Sequence, residues 1–171
     1  MSNDQRRVLA GMVGAVVFSA AFFEVMFHST AVGLAPPGGI ESSWRLAYAL
    51  KWEVIAALCL LAGVAKIANR RFFIAEAIDG AAAPSIEIDR RYIQNTLEQL
   101  VLAIVAHLAL VSVGAPESVR AVAVLVMLFV IGRVTFWVGY HYSGPARAFG
   151  FGTTFYPTVA VYVFVLSRIF S

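Results

Sequence analysis

The chain has one cysteine, few charges and no stretch that alternates apolar and polar residues at period two. The lone Cys59 excludes an intrachain disulfide, and its place inside an apolar run makes it a lipid-facing or packed side chain that says nothing about redox compartment. Charged residues make up only 13% of the 171 positions, against 60% hydrophobic. With a mean hydropathy of +0.80, that balance describes an integral membrane protein. The absence of alternation argues against a barrel and leaves helices. A net charge of +3 is modest, and the arginines gather at the ends of apolar runs, which excludes nucleic acid as an expected partner. No His or Cys stands at ligand spacing, so no metal is expected. No small-residue cleavage pattern closes the first apolar run, so it is expected to stay as a span. There is no internal repeat and no low-complexity segment.

Five apolar runs remain: Val8 to Phe27, Leu46 to Ala68, Tyr92 to Val113, Val119 to Tyr140, and about Phe149 to Ile169. At 1.5 Å per residue each is long enough for about 30 Å of hydrocarbon. Breakers mark the connections at Ser29 to Ser43, with Pro36-Pro37-Gly38-Gly39, at Gly114 to Ser118 and at His141 to Ala148. The longest other connection, Asn69 to Arg91, balances its arginines with Glu76, Asp79, Glu87 and Asp89, and an interfacial helix is expected around Phe72 to Ile78. Arg6, Arg7, Lys66, Arg70, Arg71, Arg90, Arg91 and Arg147 fall on one side of a five-span chain, and Arg45, Lys51, Arg120 and Arg168 on the other. The N-terminus is therefore expected in the cytoplasm and the C-terminus across the membrane.

Polar residues inside the spans carry the functional question. Arg91, Asn95 and Glu98 stand at i, i+4 and i+7 and point from one helix face. A carboxylate about six residues inside a span costs a few kcal/mol unless it meets a partner or water, so Glu98 marks either a functional site or a polar packing knot. The short turn at Gly114 to Ser118 makes the third and fourth spans antiparallel neighbours. Glu98 and Arg133 lie about 15 and 14 residues from that turn, at nearly one depth, and are expected to compensate each other. Arg133, Trp137 and Tyr140 share a face that rises to the same mouth. Ser143-Gly144-Pro145 reads as a helix start with Arg147 in its first turn. Glu24, Lys51 and Glu53 are expected to pair among themselves or to snorkel, and His107 to be a hydrogen-bonded packing residue. Gly150-Phe151-Gly152 suggests a close helix contact or a slot for a lipid-like chain, packing being the usual role of small residues in membranes.

The pattern Arg91, Asn95, Glu98 at a helix start, followed by Arg133, Gly139-Tyr140 and Arg147 on the next two helices, resembles the MAPEG family, the membrane-associated proteins in eicosanoid and glutathione metabolism. The resemblance covers about Leu46 to Ser171. It implies an all-α integral membrane protein, an antiparallel transmembrane bundle with a four-helix core at 46–171 and an additional N-terminal helix and loop at 1–45. It further implies a homotrimer in a bacterial inner membrane, with glutathione bound between subunits near the cytoplasmic face. Arg91, Asn95, Glu98, Arg133 and Tyr140 would then hold glutathione. Arg147 would be catalytic, stabilising the thiolate that attacks a lipophilic electrophile or peroxide from the bilayer. The chain departs from the family's enzymes at Gln94, Phe136, Ala148 and Phe151, where hydroxyls or basic groups are common. A non-catalytic binding or scaffold member is the competing reading, and a small transporter is disfavoured because the polar residues gather at one mouth.

Overall fold

A computed structural model describes residues 1–29, 41–73 and 84–171. These form five α-helices and no strand: α1 Asn3–His28, α2 Ser42–Phe73, α3 Pro84–Val113, α4 Ser118–Tyr142 and α5 Arg147–Ile169. The Pro36 to Gly39 breakers and the Glu76 and Asp79 charges lie outside the described residues, as does most of the expected interfacial helix. Its first two residues, Phe72 and Phe73, close α2.

Helices α1, α3, α4 and α5 are long and apolar enough to cross a membrane. Helix α2 carries more charge, yet it runs the whole length of α3. At one end Arg45 Nη2 donates to the Gly114 carbonyl at 2.7 Å, and at the other Lys66 Nζ meets Asp89 at 2.9 Å. Direction alternates along the chain, so the starts of α1, α3 and α5 share one end with the finishes of α2 and α4. That shared end contains Arg91.

Helix α4 is the axis. It is apolar all round, buries every residue from Val119 to Val126 except Arg120, and touches each of the other four helices. Helix α1 lies outside it, buries only Ala15 and Ser19, and packs on α5. Gly11, Ala15 and Ser19 repeat every four residues and form its contact stripe. A Cβ on Gly11 would stand 3.2 Å from Ala148 Cβ, and one on Gly152 2.7 Å from Ala15 Cβ. Small residues let the two backbones approach, and Phe18 closes the seam against Phe149 at 5.6 Å between ring centres. A capping box of Ser2 and Gln5 starts this helix.

The Gly150-Phe151-Gly152 stretch is a double helix contact. Gly152 faces α1, whereas a Cβ on Gly150 would lie 2.2 Å from Phe136 N and 2.6 Å from the Gly132 carbonyl of α4. Two helix boundaries differ from the sequence expectation. Helix α5 begins at Arg147, two residues after Pro145, because Gly144 to Ala146 form a turn instead of a first helical turn. Helix α3 begins at Pro84, eight residues before Tyr92, since its charged first turns are compensated from α2 and α4.

Candidate functional site

The mouth at the shared end is built on the first turns of α3. Asp89 has a fully buried side chain on which four residues converge. Lys66 Nζ and Trp137 Nε1 both donate to Oδ1 at 2.9 Å, Arg70 Nη1 lies 3.3 Å from Oδ2, and His141 Nε2 is 3.9 Å away. A single carboxylate thereby ties α2 and α4 to α3. Lys66 also sits over the Trp137 ring at 4.6 Å. One turn deeper, Tyr92 stacks on Trp137 with centroids 4.3 Å apart and donates its hydroxyl to the Cys59 carbonyl at 2.9 Å. The sequence reading missed this cluster, taking Asp89 for a loop residue balancing nearby arginines. Cys59 is buried in the packing beside it.

Beside the cluster lies a cationic group in which Arg91 is exposed and Arg147 half-buried. Arg91 Nε donates to Glu87 at 2.8 Å on its own helix face, and its guanidinium neighbours the Tyr140 hydroxyl. The Arg147 guanidinium covers the Tyr140 ring at 4.5 Å. Arg91, Tyr140 and Arg147 thus come from three helices to one place, as the spacing along the sequence implies.

Below it, Arg133 is wholly buried. Its Nη1 donates to Asn95 Oδ1 at 2.8 Å, and its Nη2 to Thr154 Oγ1 and, at 3.4 Å, to the Gly150 carbonyl. Its charge spreads over the Phe136 ring at 4.8 Å. All three acceptors are neutral, and Nε has no partner among the described residues. The expected ion pair with Glu98 is not formed: Glu98 is exposed and takes a hydrogen bond from Gln94 Nε2 at 2.8 Å. Helical rotation explains the difference. The packed stripe of α3 is Tyr92, Thr96, Gln99 and Ala103, and Asn95 stands at its edge. Three further residues turn the helix about 60° back from Asn95, away from that stripe, which carries Glu98 outward.

Nor do Glu24, Lys51 and Glu53 pair with one another. Glu24 meets His28 at 3.3 Å on an exposed turn of α1, and Lys51 is exposed. Glu53 is buried and lies 2.6 Å from His107 Nδ1, so His107 is a hydrogen-bonded packing residue as expected, with a carboxylate partner the spacing did not suggest.

A helical bundle with lipid-facing apolar sides, one buried arginine and a cationic mouth defines a multi-pass membrane protein whose polar chemistry is concentrated at one end. Residues 46–167, from the first turn of α2 almost to the end of α5, match the MAPEG family, and the chain belongs to it. Over 163 residues it is 29% identical to transmembrane protein 79 of Mus musculus, the match covering 92% of this chain and 41% of that protein. Over 121 residues it is 28% identical to transmembrane protein 79 of Bos taurus, covering 70% and 30% respectively. The chain therefore spans less than half the length of these relatives. The mouse match takes in part of α1, which precedes the family match. No solved structure matches the chain.

Proposed function

We propose that this MAPEG protein binds glutathione at the Arg91 mouth, between subunits of a homotrimer, and uses its thiol to conjugate or reduce lipophilic electrophiles. The observation that carries the reading is the convergence of exposed Arg91 with half-buried Tyr140 and Arg147 at one place, with the carboxylate of Glu98 on the same side of α3 as Arg91. Glutathione has two carboxylates, one ammonium and a thiol. Arg91 and the Tyr140 phenol fit its carboxylates, Arg147 fits its thiolate, and Glu98 fits its ammonium. Arg133 and Asn95 fit as support: the buried cation has no counter-ion among the described residues and favours an anion above it, while Asn95 Oδ1 is already held by Arg133.

Glu98 also argues for the assembly. An exposed carboxylate beside Leu97, Val101 and Val105 of α3 is costly against lipid and gains from a neighbouring subunit. In the reaction Arg147 would hold the thiol as thiolate, its proton passing to water. Sulfur then attacks the electrophilic carbon, forming the C–S bond as a leaving group departs with its electron pair, or attacks a peroxide oxygen, forming an S–O bond as the O–O bond breaks. In the peroxide case the alkoxide takes a proton from water, after which a second glutathione thiol displaces water from the sulfenic acid to give the disulfide. The arginine-rich end belongs in the cytoplasm, which supplies glutathione, with the N-terminus on that side.

A non-catalytic member is favoured by one feature. Ala148 is packed under Gly11 of α1, and Phe151 is stacked on Phe155 at 5.3 Å, so two positions that carry hydroxyls in one branch of the family serve packing here. Thermal melts of the detergent-solubilised protein with glutathione separate the readings. A binding site gives a glutathione-dependent rise in melting temperature that Arg91→Ala abolishes. Arg147→Ala should keep the rise and lose turnover of a lipophilic electrophile if it is catalytic. A rise with no turnover in the parent protein supports the scaffold, and no rise at all rejects the glutathione site.

A further inference from the structure

At the opposite end from Arg91 and Arg147, a cavity of about 700 Å³ opens between α1, α4 and α5. That volume lies within the range of pockets for small organic molecules. Phe23 and Phe27 of α1, Leu125 of α4 and Phe164 of α5 wall it, and Leu128 and Tyr156 are among its deeper lining groups. The family match begins after α1, so this wall is an addition to the four-helix core. Gly11 and Ala15 bring α1 close against α5, and the larger Phe23 and Phe27 beyond them line the open space.

One polar atom in this lining is unspent. Ser19 is 6% exposed, lines the cavity, and its Oγ has no hydrogen-bond partner among the described residues. A serine in a membrane helix ordinarily returns its hydroxyl to a carbonyl of the preceding turn. Ser112, Thr153 and Thr158 do so here, and Ser118, at the cavity rim, spends its hydroxyl on the Ala115 carbonyl at 2.6 Å. A buried hydroxyl left unmatched in hydrocarbon is unfavourable, and a ligand oxygen would satisfy it.

Depth identifies the ligand chemistry. Ser19 is eight residues inside Phe27, about 12 Å below the hydrocarbon edge at that end. The ester oxygens of a phospholipid stay at the edge of the roughly 30 Å core and do not reach it. We propose that this cavity is a binding site for a neutral membrane-dissolved lipophile whose hydrogen-bonding oxygen lies within its apolar body and meets Ser19 Oγ. No charged group faces the ligand from the cavity wall among the described residues, which argues against fatty carboxylates bound through their head. The site is independent of the glutathione reading.

The test uses the full chain in dioleoylphosphatidylcholine nanodiscs and 4-decylbenzophenone, a neutral ketone that crosslinks to nearby C–H groups in near-ultraviolet light. Labelled peptides are mapped by mass spectrometry. The expected result is saturable labelling confined to Phe23, Leu125, Phe164 and their neighbours. Ala20→Trp and Ala160→Trp, which fill the cavity from exposed positions, should each reduce labelling to background while glutathione-free melting stays near that of the parent. Ser19→Ala should weaken half-saturation about fivefold, the effect of one neutral hydrogen bond. 4-Decyldiphenylmethane, which lacks the carbonyl, should compete equally with the ketone in Ser19→Ala and poorly in the parent. Unsaturable labelling along every lipid-facing helix, unchanged by either tryptophan, means that phospholipid chains occupy the space and overturns the proposal. Absence of labelling in the cavity overturns it too, as does equal half-saturation in Ser19→Ala.

Discussion

Asp89→Asn is expected to loosen the whole arginine-bearing end of the bundle. The native carboxylate accepts from Lys66 and Trp137 at 2.9 Å each and lies 3.3 Å from Arg70. An asparagine fills the same space and keeps one acceptor oxygen, so no cavity arises and the change isolates charge. Charge-assisted hydrogen bonds contribute roughly 1.5–3 kcal/mol each and neutral ones roughly 0.5–1.5 kcal/mol, so weakening two costs about 2 kcal/mol. Lys66 and Arg70 keep about a third of their side-chain surface, 32% and 35%, and water takes up part of their lost partner. The cost therefore falls short of the roughly 3–5 kcal/mol of a wholly buried pair. For a chain of this size about 2 kcal/mol lowers the melting temperature by about 4–8 °C. Near-ultraviolet circular dichroism is the assay, because Trp137 is bonded to Asp89 and stacked on Tyr92. A change under about 1 °C with the aromatic signal intact would refute the role given to Asp89.

Gly150→Leu should destabilise by more than the usual roughly 1–3 kcal/mol of overpacking, since its Cβ would meet Phe136 N at 2.2 Å; a melting temperature equal to the parent's contradicts the close α4–α5 crossing. Asn95→Ala removes the acceptor of Arg133 Nη1 and should cost about 1.5–3 kcal/mol in chemical or thermal unfolding, whereas Glu98→Gln, which alters an exposed group, should cost under about 1 kcal/mol in the isolated subunit. Reversed costs would restore the Glu98–Arg133 pair. Reporters placed near Asp79 and after Ser171 should fall on opposite sides of the membrane, the first cytoplasmic. Native mass spectrometry in mild detergent should give three copies, and a persistent monomer rejects a site between subunits.

The helices were legible because uninterrupted apolar runs leave few alternatives, and the meeting of Arg91, Tyr140 and Arg147 followed from shared helix faces and depth. Which face packs was not legible. Arg91, Asn95 and Glu98 look like one stripe, yet the buried stripe is Tyr92, Thr96 and Gln99, and only contacts with α2 and α4 distinguish the two. Depth matching placed Arg133 one turn from its real partner, Asn95. Asp89 was hidden for another reason: its partners are 23 and 48 residues away, and a carboxylate flanked by arginines at a span edge reads as solvated. The pairing of Glu53 with His107 is equally remote in sequence, at 54 residues. The seat of α1 depends on Gly11 and Ala15 finding Ala148 and Gly152, a match of small residues among several in the chain.

Isothermal titration of the purified protein with glutathione, beside its diethyl ester, tests the central claim most directly. The ester keeps the thiol and the ammonium but removes both carboxylate charges, which Arg91 and Tyr140 are proposed to hold. Saturable heat with glutathione, lost in Arg91→Ala and absent with the ester, is the predicted result. No saturable heat with glutathione, or equal binding of the ester, would contradict it.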